Sequence, residues 1–239
     1  MNVYEDAERA AAYATLEFPG TYYLAFRDLP EIIGKHVSGT RAVDFGCGAG
    51  RSTRFLKTLG FDAIGVDIAE DMLILARERD PKGDYRRVET AGLRELEQGA
   101  FDLVFSAFTF DNIPTMETKV ALFAGLRDLL RPGGKIINMV SSPEIYTYDW
   151  ASFTNTCFAG NFSAKRGDSV FTIMNDVGDK RPVHDILWPD DAYHETYAAA
   201  KLAVEQVCRP LGRESDPCAY VSEMTVAPWV IWVLRKDEG

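Results

Sequence analysis

The stretch RAVDFGCGAGRSTRFLKTLG, residues 41–60, decides the fold of this chain. Its opening, RAVDFG, predicts a buried strand, and its end, RSTRFLKTLG, predicts an amphipathic helix. Gly46, Gly48 and Gly50 lie between the two elements, where bare backbone permits angles that other residues avoid. A strand, a glycine loop and a helix in this order indicate the first β–α unit of an open α/β sheet.

The same alternation of short apolar runs and amphipathic stretches continues along the chain. Further strands are predicted at 62–68, 85–89, 101–110 and 135–141, and further helices at 70–80 and 116–130. The sequence RPGG at 131–134 is expected to form the turn between the last of these helices and the last of these strands. The pattern predicts an α/β fold, a mostly parallel sheet with helices on both faces.

The rhythm changes after residue 142. Residues 143–189 are aromatic, polar and aperiodic, and they contain a candidate hairpin around Gly178 and Asp179. A helix and two more strands follow, so the sheet is expected to reach seven strands. We therefore predict a single domain over 1–239, with an N-terminal helical lid at 1–38 and an inserted acceptor-side segment at 143–189.

The composition excludes several classes of protein. With 26 basic and 36 acidic residues, the net charge of −10 argues against a nucleic-acid partner, which usually meets a basic face. The four cysteines show no metal-ligand spacing and no paired disulfide framework, which favours an intracellular protein with reduced thiols. The first residues are acidic and lack an apolar core, so they are not expected to act as a signal peptide, and no apolar run approaches the length of a membrane span. We expect a cytoplasmic protein without a bound metal or a membrane partner, of unknown oligomeric state.

The glycine loop narrows the class of ligand. A phosphate-binding P-loop ends in Gly-Lys-Ser/Thr, whereas Gly50 is followed by Arg51, Ser52 and Thr53. A dinucleotide fingerprint spaces its glycines G-x-G-x-x-G, whereas the spacing here is G-x-G-x-G. Asp44 adds a carboxylate that repels a pyrophosphate and attracts an ammonium group. A carboxylate on the ligand fits the N-terminus of the predicted helix. An amino-acid portion carries both an ammonium and a carboxylate, so it matches Asp44 and the helix N-terminus together.

A second acidic residue completes this reading of the ligand. Asp67 ends the second predicted strand, where a carboxylate accepts hydrogen bonds from ribose hydroxyls. Ile68 and Met72 follow and offer an apolar wall for a purine. An amino acid, a ribose and a purine in one crevice describe S-adenosylmethionine.

Four stretches in order, VDFGCGAGRST, GVDIAEDML, FDLVFSAF and LRPGGKIIN, resemble the class I S-adenosylmethionine-dependent methyltransferase family. The likeness runs from about residue 40 to residue 141, and the later predicted strands are consistent with it. The resemblance implies a Rossmann-like seven-stranded sheet whose last strand is antiparallel. It also implies S-adenosyl-L-methionine as cofactor and methyl transfer. The aromatic inserted segment and the acidic net charge favour a small-molecule acceptor over RNA or protein.

The resemblance also assigns residues to the cofactor. The methionine portion lies beside the first motif, the ribose beside Asp67, the adenine beside the turn after the third strand, and the sulfonium beside the end of the fourth. At the adenine turn the chain departs from many relatives, which carry an acidic residue there, and either Glu89 or Thr90 is left to bond the adenine amine. The candidate cofactor-binding residues are Asp44, Gly46, Cys47, Gly48, Gly50, Asp67, Ile68, Met72, Thr90, Ala91, Ser106 and Phe108.

The chemistry needs alignment of nucleophile, methyl and sulfur, and it needs a base only if the acceptor carries its proton. The candidate catalytic residues are His184, Asp111 and Tyr146. His194 and Asn112 are secondary candidates. The aromatic clusters at 13–26 and 146–158 lie where a lid over the acceptor belongs, and Tyr4, Tyr13 and Tyr22 are candidates for closing the cofactor site.

Two other readings stay open at this stage. One is an NAD(P)-dependent oxidoreductase, which the glycine spacing disfavours. The other is a non-catalytic S-adenosylmethionine-binding protein, which predicts cofactor affinity without turnover. Titration with S-adenosylmethionine and with NAD separates the first of these from a methyltransferase.

Overall fold

The computed structural model describes Ala12 and residues 15–237, except for the side chains of Thr90 and Ala91. The helices are α1 Gly20–Arg27, α2 Leu29–His36, α3 Arg51–Thr58, α4 Glu70–Arg79, α5 Met116–Leu129 and α6 Asp190–Ala199. The strands are β1 Arg41–Phe45, β2 Asp62–Asp67, β3 Asp84–Arg87, β4 Phe101–Ala107, β5 Leu130–Ser141, β6 Phe153–Thr154, β7 Ser169–Met174, β8 Val183–Ile186, β9 Leu202–Cys208 and β10 Trp229–Lys236.

Seven strands form the main sheet, in the order β3-β2-β1-β4-β5-β10-β9. The first five pair in parallel, whereas β10 pairs antiparallel with both β5 and β9. The predicted Rossmann-like sheet with an antiparallel last strand is therefore confirmed. The strand order reverses between β1 and β4, and in such sheets ligands bind beyond the strand ends at this point.

The main sheet lies between two apolar layers. Six of the seven residues of β4 are buried, as expected for a strand covered on both faces. Leu103 and Phe105 pack in the layer with α1 and α2, whereas Val104 packs in the layer with α5 and α6. This alternation fixes which side chains at the ends of the strands face which layer.

The region around RPGG differs from the prediction. Pairing with β4 begins at Leu130, opposite Phe101, and resumes after a register shift with Lys135 opposite Leu103. The residues between form an irregular part of β5 instead of a turn that precedes the strand. Gly133 takes a left-handed φ of 81°, and Pro132 lies where no regular ladder bond is required of it.

The predicted hairpin in the inserted segment is confirmed, since β7 and β8 pair antiparallel on either side of Gly178 and Asp179. The short strand β6 pairs with β7, a contact that the sequence did not predict. Within the predicted helical segment at 1–38, the described residues form α1 and α2.

Buried Glu223, in the loop between β9 and β10, joins α1 to the inserted segment. Its Oε1 accepts from Thr21 Oγ1 at 2.6 Å and from the Ala151 backbone nitrogen at 2.8 Å. Its Oε2 accepts from the backbone nitrogens of Val221 and Ser222. One carboxylate thus joins three segments of the chain.

Candidate active site

The glycine loop follows β1 with an unusual backbone. Gly46, Gly48 and Gly50 have φ values of 73°, 52° and 79°, which only glycine adopts without strain. The backbone nitrogens of Gly46 and Cys47 both donate to the carbonyl oxygen of Val66, at 2.8 and 3.0 Å. The loop is therefore held against the end of β2.

The loop leaves open space at one glycine. A Cβ atom on Gly46 would collide with the side chain of Thr109, and one on Gly50 would collide with a neighbouring ring. A Cβ on Gly48 would meet only the terminal methyl of Met72, at 3.1 Å. Gly46 and Gly50 are thus required by internal packing, whereas Gly48 borders space in which a ligand can approach the main chain.

Asp67 ends β2 directly beside this space. Its Oδ2 accepts from the Gly48 backbone nitrogen at 2.8 Å, and its Oδ1 accepts from the Ala69 nitrogen at 2.9 Å. Each carboxylate oxygen retains capacity for another donor, as a ribose diol requires. Burial raises the pKa of Asp67, against the lowering effect of these backbone donors.

An apolar surface adjoins Asp67. The Ile68 side chain is 51% exposed, an unusual degree for an isoleucine, and Met72 is buried against Ala49 in the loop. These residues form the wall on which the sequence analysis placed a purine, and their contact with adenine stays a prediction.

Asp44 lies fully buried at the end of β1. Its Oδ2 accepts from the hydroxyls of Ser52 and Thr53, each at 2.6 Å, so the carboxylate anchors the first turn of α3. Its Oδ1 has no partner in the described part of the chain. Burial raises the pKa of Asp44 to about 6. The contact with a ligand ammonium stays a prediction, and the partnerless Oδ1 is the atom that fits it.

We expect Asp44→Asn to change how stability depends on pH. Because the folded-state pKa of Asp44 is raised to about 6, its contribution to stability is present below about pH 4 and lost as the pH rises through 6. Asparagine does not ionise, so the variant gains stability relative to the wild type between pH 4 and pH 7. Two pKa units correspond to about 3 kcal/mol at most. Urea unfolding at several pH values measures this difference, and a difference independent of pH would contradict the prediction.

Two predicted cofactor residues turn away from the crevice. The Cys47 side chain packs with Leu73, Ala76 and Tyr85, and its backbone nitrogen is already bonded to β2. The Ser106 side chain is buried on the same face of β4 as Val104, toward α5 and α6. Neither side chain is directed at the crevice, so contact of Cys47 and Ser106 with the cofactor stays a prediction for their backbone alone.

The adenine turn is described only in part. The backbone of Thr90–Glu95 forms a short 3₁₀ helix after Glu89. The side chains of Thr90 and Ala91 lie outside the described part of the chain, as do Tyr4 and Tyr13. Their contacts with the cofactor stay predictions.

Phe108 lines a cavity, and the residue after it, Thr109, donates to the carbonyl oxygen of Gly46 in the glycine loop at 3.5 Å. Phe108 takes a left-handed φ of 64°, which is uncommon for a residue with a side chain and turns the chain sharply after β4. Its ring lies 4.6 Å from the ring of Trp229 and 5.7 Å from that of Tyr22, measured between centroids. The Arg51 guanidinium, at the start of α3, lies 6.0 Å from the same ring.

The cavity lies at the ends of β4 and β5, beneath the small sheet formed by β6, β7 and β8. Its volume is about 60 Å³. It is lined by Tyr22, Phe108, Asp111, Asn112, Ser141, Ile145, Tyr146, Phe153, Thr172, Met174, Val183, Asp185 and Trp229. Asp111 and Tyr146, two of the three predicted catalytic residues, are among these.

Two buried carboxylates face each other in the wall of the cavity. Asp111 accepts from the backbone nitrogen of Ser141 at 3.2 Å and from its hydroxyl at 2.9 Å. Asp185 accepts from the Tyr146 hydroxyl at 3.1 Å, and the Asn112 amide nitrogen, once oriented to donate, lies 2.9 Å from its other oxygen. Burial raises the pKa of Asp111 to about 7, with Asp185 adding to the effect, and raises that of Asp185 to about 6.

Lys119 lies behind the carboxylates and is fully buried. Its Nζ donates to the Phe110 carbonyl at 2.6 Å and to the Tyr193 hydroxyl at 3.3 Å, and it lies 4.7 Å from the centroids of the Trp188 and Tyr193 rings. Burial lowers the pKa of Lys119, and the charges of Asp111 and Asp185 oppose that effect.

The prediction for His184 is corrected by the alternation of β8. Its side chain is exposed and bonded to Ser169 at 2.8 Å, on the face away from the cavity. The next residue, Asp185, faces inward instead. His194 is exposed as well, with its ring 5.0 Å from that of Trp232.

Asp185 and Lys119 are functional candidates that the sequence analysis missed. The available signal for Lys119 was its place on the apolar face of α5, together with Leu122, Phe123 and Leu126. For Asp185 the signal was an acidic residue at an inward position of a hairpin strand. Both signals depend on knowing which face is buried.

Comparison with known proteins agrees with this geometry. The family model described as "Methyltransferase domain" matches residues 43–138. Ubiquinone biosynthesis O-methyltransferase of Methylococcus capsulatus is 33% identical over 124 residues, which cover 49% of this chain and 51% of that protein. The protein of the same name from Nitrosococcus oceani is 31% identical, with 49% and 52% covered. The chain thus spans about half the length of the curated relatives it matches.

Solved structures match over more of the chain. The CcbJ methyltransferase from Streptomyces caelestis has a TM-score of 0.65 at 16% identity, with 92% of this chain and 100% of that one covered. An S-adenosylmethionine-dependent methyltransferase from Mesorhizobium loti has a TM-score of 0.60 at 19% identity, with 89% and 98% covered. At such identities the likeness establishes the shared fold.

Proposed function

We infer that this chain is a class I S-adenosylmethionine-dependent methyltransferase. We propose that it transfers the methyl group of S-adenosyl-L-methionine to a small-molecule acceptor by in-line displacement. The observation that carries the proposal is the position of Phe108. It lines the cavity at the ends of β4 and β5, and the next residue, Thr109, contacts Gly46 of the glycine loop. A methyl donor in the loop and an acceptor in the cavity would meet at Phe108.

The donor side of the proposal rests on the contacts of the loop. The main chain at Gly48 and the partnerless Oδ1 of Asp44 fit an amino-acid portion, and the Asp67 carboxylate fits a ribose diol. Ile68 and Met72 supply the apolar wall. When bound, S-adenosylmethionine supplies a methyl group already activated by a sulfonium. The task left to the chain is to hold and align the two reactants.

The acceptor side supplies alignment and a place for a proton. Holding two reactants in line lowers a barrier by up to about 7–11 kcal/mol in the best cases. Asp111 and Tyr146 stay proposed catalytic residues, Asp185 replaces His184 beside them, and Phe108 is proposed to position both reactants. A carboxylate with a pKa near neutrality is suited to accept a proton at physiological pH.

The proposal includes the surroundings of the site. We propose residues 1–38 and 143–189 as the segments that close over the two reactants, since Tyr22 and Tyr146 from these segments line the cavity. Among the described residues, no helix combines the length and apolarity needed to cross a bilayer. A cytoplasmic location is part of the proposal, and so is the absence of a nucleic-acid partner, which the net charge of −10 supports.

Calorimetric titration and product analysis test the proposal. We expect S-adenosylmethionine to bind and NAD not to bind. Incubation with candidate metabolites is expected to yield a product heavier by one methylene, together with S-adenosylhomocysteine. Binding of NAD without binding of S-adenosylmethionine would indicate an oxidoreductase. Cofactor binding without turnover on a broad acceptor panel would favour a non-catalytic binder.

We expect Asp67→Ala to weaken S-adenosylmethionine binding by about 1–3 kcal/mol, the scale for losing hydrogen bonds to a charged group. The loss has two sources, the ribose contact and the Gly48 backbone nitrogen, which Asp67 now holds at 2.8 Å. Asp62→Ala is the matched control, because Asp62 is exposed at the opposite end of β2. Titration calorimetry measures both variants, and equal affinity in the two would remove Asp67 from the site.

A further inference from the structure

The wall of the cavity combines aromatic rings with acidic groups. Tyr22, Phe108, Tyr146, Phe153 and Trp229 contribute the rings, and Asp111 and Asp185 contribute the carboxyl groups. Within the described part of the chain, no lysine, arginine or histidine lines the cavity. This combination of π-faces and carboxylates suits a cation and disfavours an anion.

The two carboxyl groups have mostly neutral partners. The donors that reach them are the amide and hydroxyl of Ser141, the hydroxyl of Tyr146 and the amide of Asn112. The Lys119 ammonium points instead to a carbonyl and a tyrosine hydroxyl, and no contact ion pair joins it to either carboxyl group among the described residues. Two buried acidic groups thus share one nearby cation, and a second cation in the cavity would balance them.

We propose that the acceptor is an amine, which enters the cavity as its ammonium ion and is held between Asp111, Asp185 and the aromatic rings. The inference rests on the proposed methyl transfer and names the class of its acceptor. Each ring face within reach of an ammonium adds about 0.5–2 kcal/mol, with the larger values in desolvated sites. The carboxyl groups add charge-assisted hydrogen bonds.

Methylation of an amine balances in this setting. Asp111 takes one proton from the ammonium and so frees the nitrogen lone pair. The lone pair forms the new C–N bond while the C–S bond breaks, and the electrons of that bond stay on the sulfur. The positive charge of the sulfonium passes to the methylated nitrogen, and the proton on Asp111 leaves to solvent. The charged and titratable groups near Asp111 are Asp185, Lys119, Tyr146, Tyr193 and Tyr197. The Asp111 pKa of about 7 suits this exchange.

An oxygen acceptor would fit the same wall less well. A phenol reacts as its phenolate, and that anion would lie beside two carboxyl groups with one buried lysine to offset them. A neutral amine creates no such repulsion, and its product is a cation that the rings and carboxylates stabilise. The wall of the cavity therefore favours a cationic or neutral acceptor over an anionic one, and this preference distinguishes an amine from a phenol.

The test compares benzylamine with its neutral analogue, benzyl alcohol, on the full chain saturated with S-adenosylhomocysteine. Calorimetry measures affinity, and tryptophan fluorescence reports occupancy next to Trp229. We expect benzylamine to bind at least about tenfold more tightly than benzyl alcohol. We expect Asp185→Asn to remove most of that preference. Asp176→Asn, the same change at an exposed position of the hairpin, should leave the preference intact.

The outcomes separate the inference from the proposed function. Failure of S-adenosylmethionine and S-adenosylhomocysteine to bind would overturn the proposed function and the inference with it. Normal cofactor binding with equal or absent binding of the two probes would overturn the inference alone. So would methylation of phenol but not of benzylamine in a reaction supplied with S-adenosylmethionine. Because the comparison of probes uses the wild-type chain, it decides the question even if Asp185→Asn does not fold.

Discussion

Gly48→Val is expected to abolish S-adenosylmethionine binding, with a loss of affinity of at least about a hundredfold, or 3 kcal/mol. Gly48 is the loop glycine beside open space, where a Cβ would meet only the methyl group of Met72. A branched side chain there would fill the volume that the ligand needs. The backbone nitrogen of Gly48 also donates to Asp67, so a shifted loop would release that carboxylate from its place. Titration calorimetry of the folded variant measures the effect.

The control for this change is Gly60→Val. Gly60 also has a positive φ, 90°, and it lies at the end of α3 with no neighbouring atoms within 4 Å of an added Cβ. Valine is strained at both positions, so both variants should lose similar stability. Only the change at Gly48 should remove cofactor binding. A folded Gly48→Val protein that binds with wild-type affinity would show that the ligand does not approach the loop there.

Lys119→Ala is expected to lower the free energy of unfolding by about 2–5 kcal/mol at pH 8, the cost of truncating a long buried side chain to alanine. Asp111 and Asp185 would lose the favourable effect of the Lys119 charge, which is already partly lost at pH 8 because burial lowers the pKa of Lys119 to about 7. The packing of the lysine stem between the Trp188 and Tyr193 rings would also be lost. Urea unfolding measures the effect.

The cost of Lys119→Ala is expected to shrink as the pH falls. The folded-state pKa values of Asp111 and Asp185 are raised, to about 7 and about 6, so the stability these groups contribute is present at low pH and lost as the pH rises. Removing Lys119 raises both values further, and at pH 5 both groups are protonated in the folded state. Lys35→Ala, an exposed lysine on α2, should cost no more than about 0.5 kcal/mol at either pH. An equal cost for Lys119→Ala at pH 5 and pH 8 would show that its charge does not act on these carboxyl groups.

Much of the donor side could be predicted from the sequence because its parts are close along the chain. The loop from Gly46 to Gly50 and the carboxylate of Asp67 follow two adjacent parallel strands, whose ends meet at one edge of the sheet. The predictions for the donor side that differ from the structure concern the direction of side chains. Cys47 and Ser106 lie in predicted segments, yet tertiary packing turns both toward the interior.

The acceptor side was harder to predict because it is assembled from distant segments. Asp111 follows β4, Lys119 lies on α5, Tyr146 follows β5 and Asp185 lies on β8. His184 and Asp185 are neighbours in the chain, and a strand sends successive side chains to opposite faces. Sequence alone favoured the histidine, whereas the structure buries the aspartate and exposes the histidine.

The sequence by itself determined the order of strands and helices, the bare loop after the first strand and the carboxylate that ends the second. Each of these depends on periodicity or turn chemistry within a few residues, which is local information. Only the tertiary structure decided which acidic and basic side chains share the buried wall of the cavity. That choice depends on which face of the inserted hairpin packs over β4 and β5, since burial determines both the neighbours of a carboxyl group and its pKa.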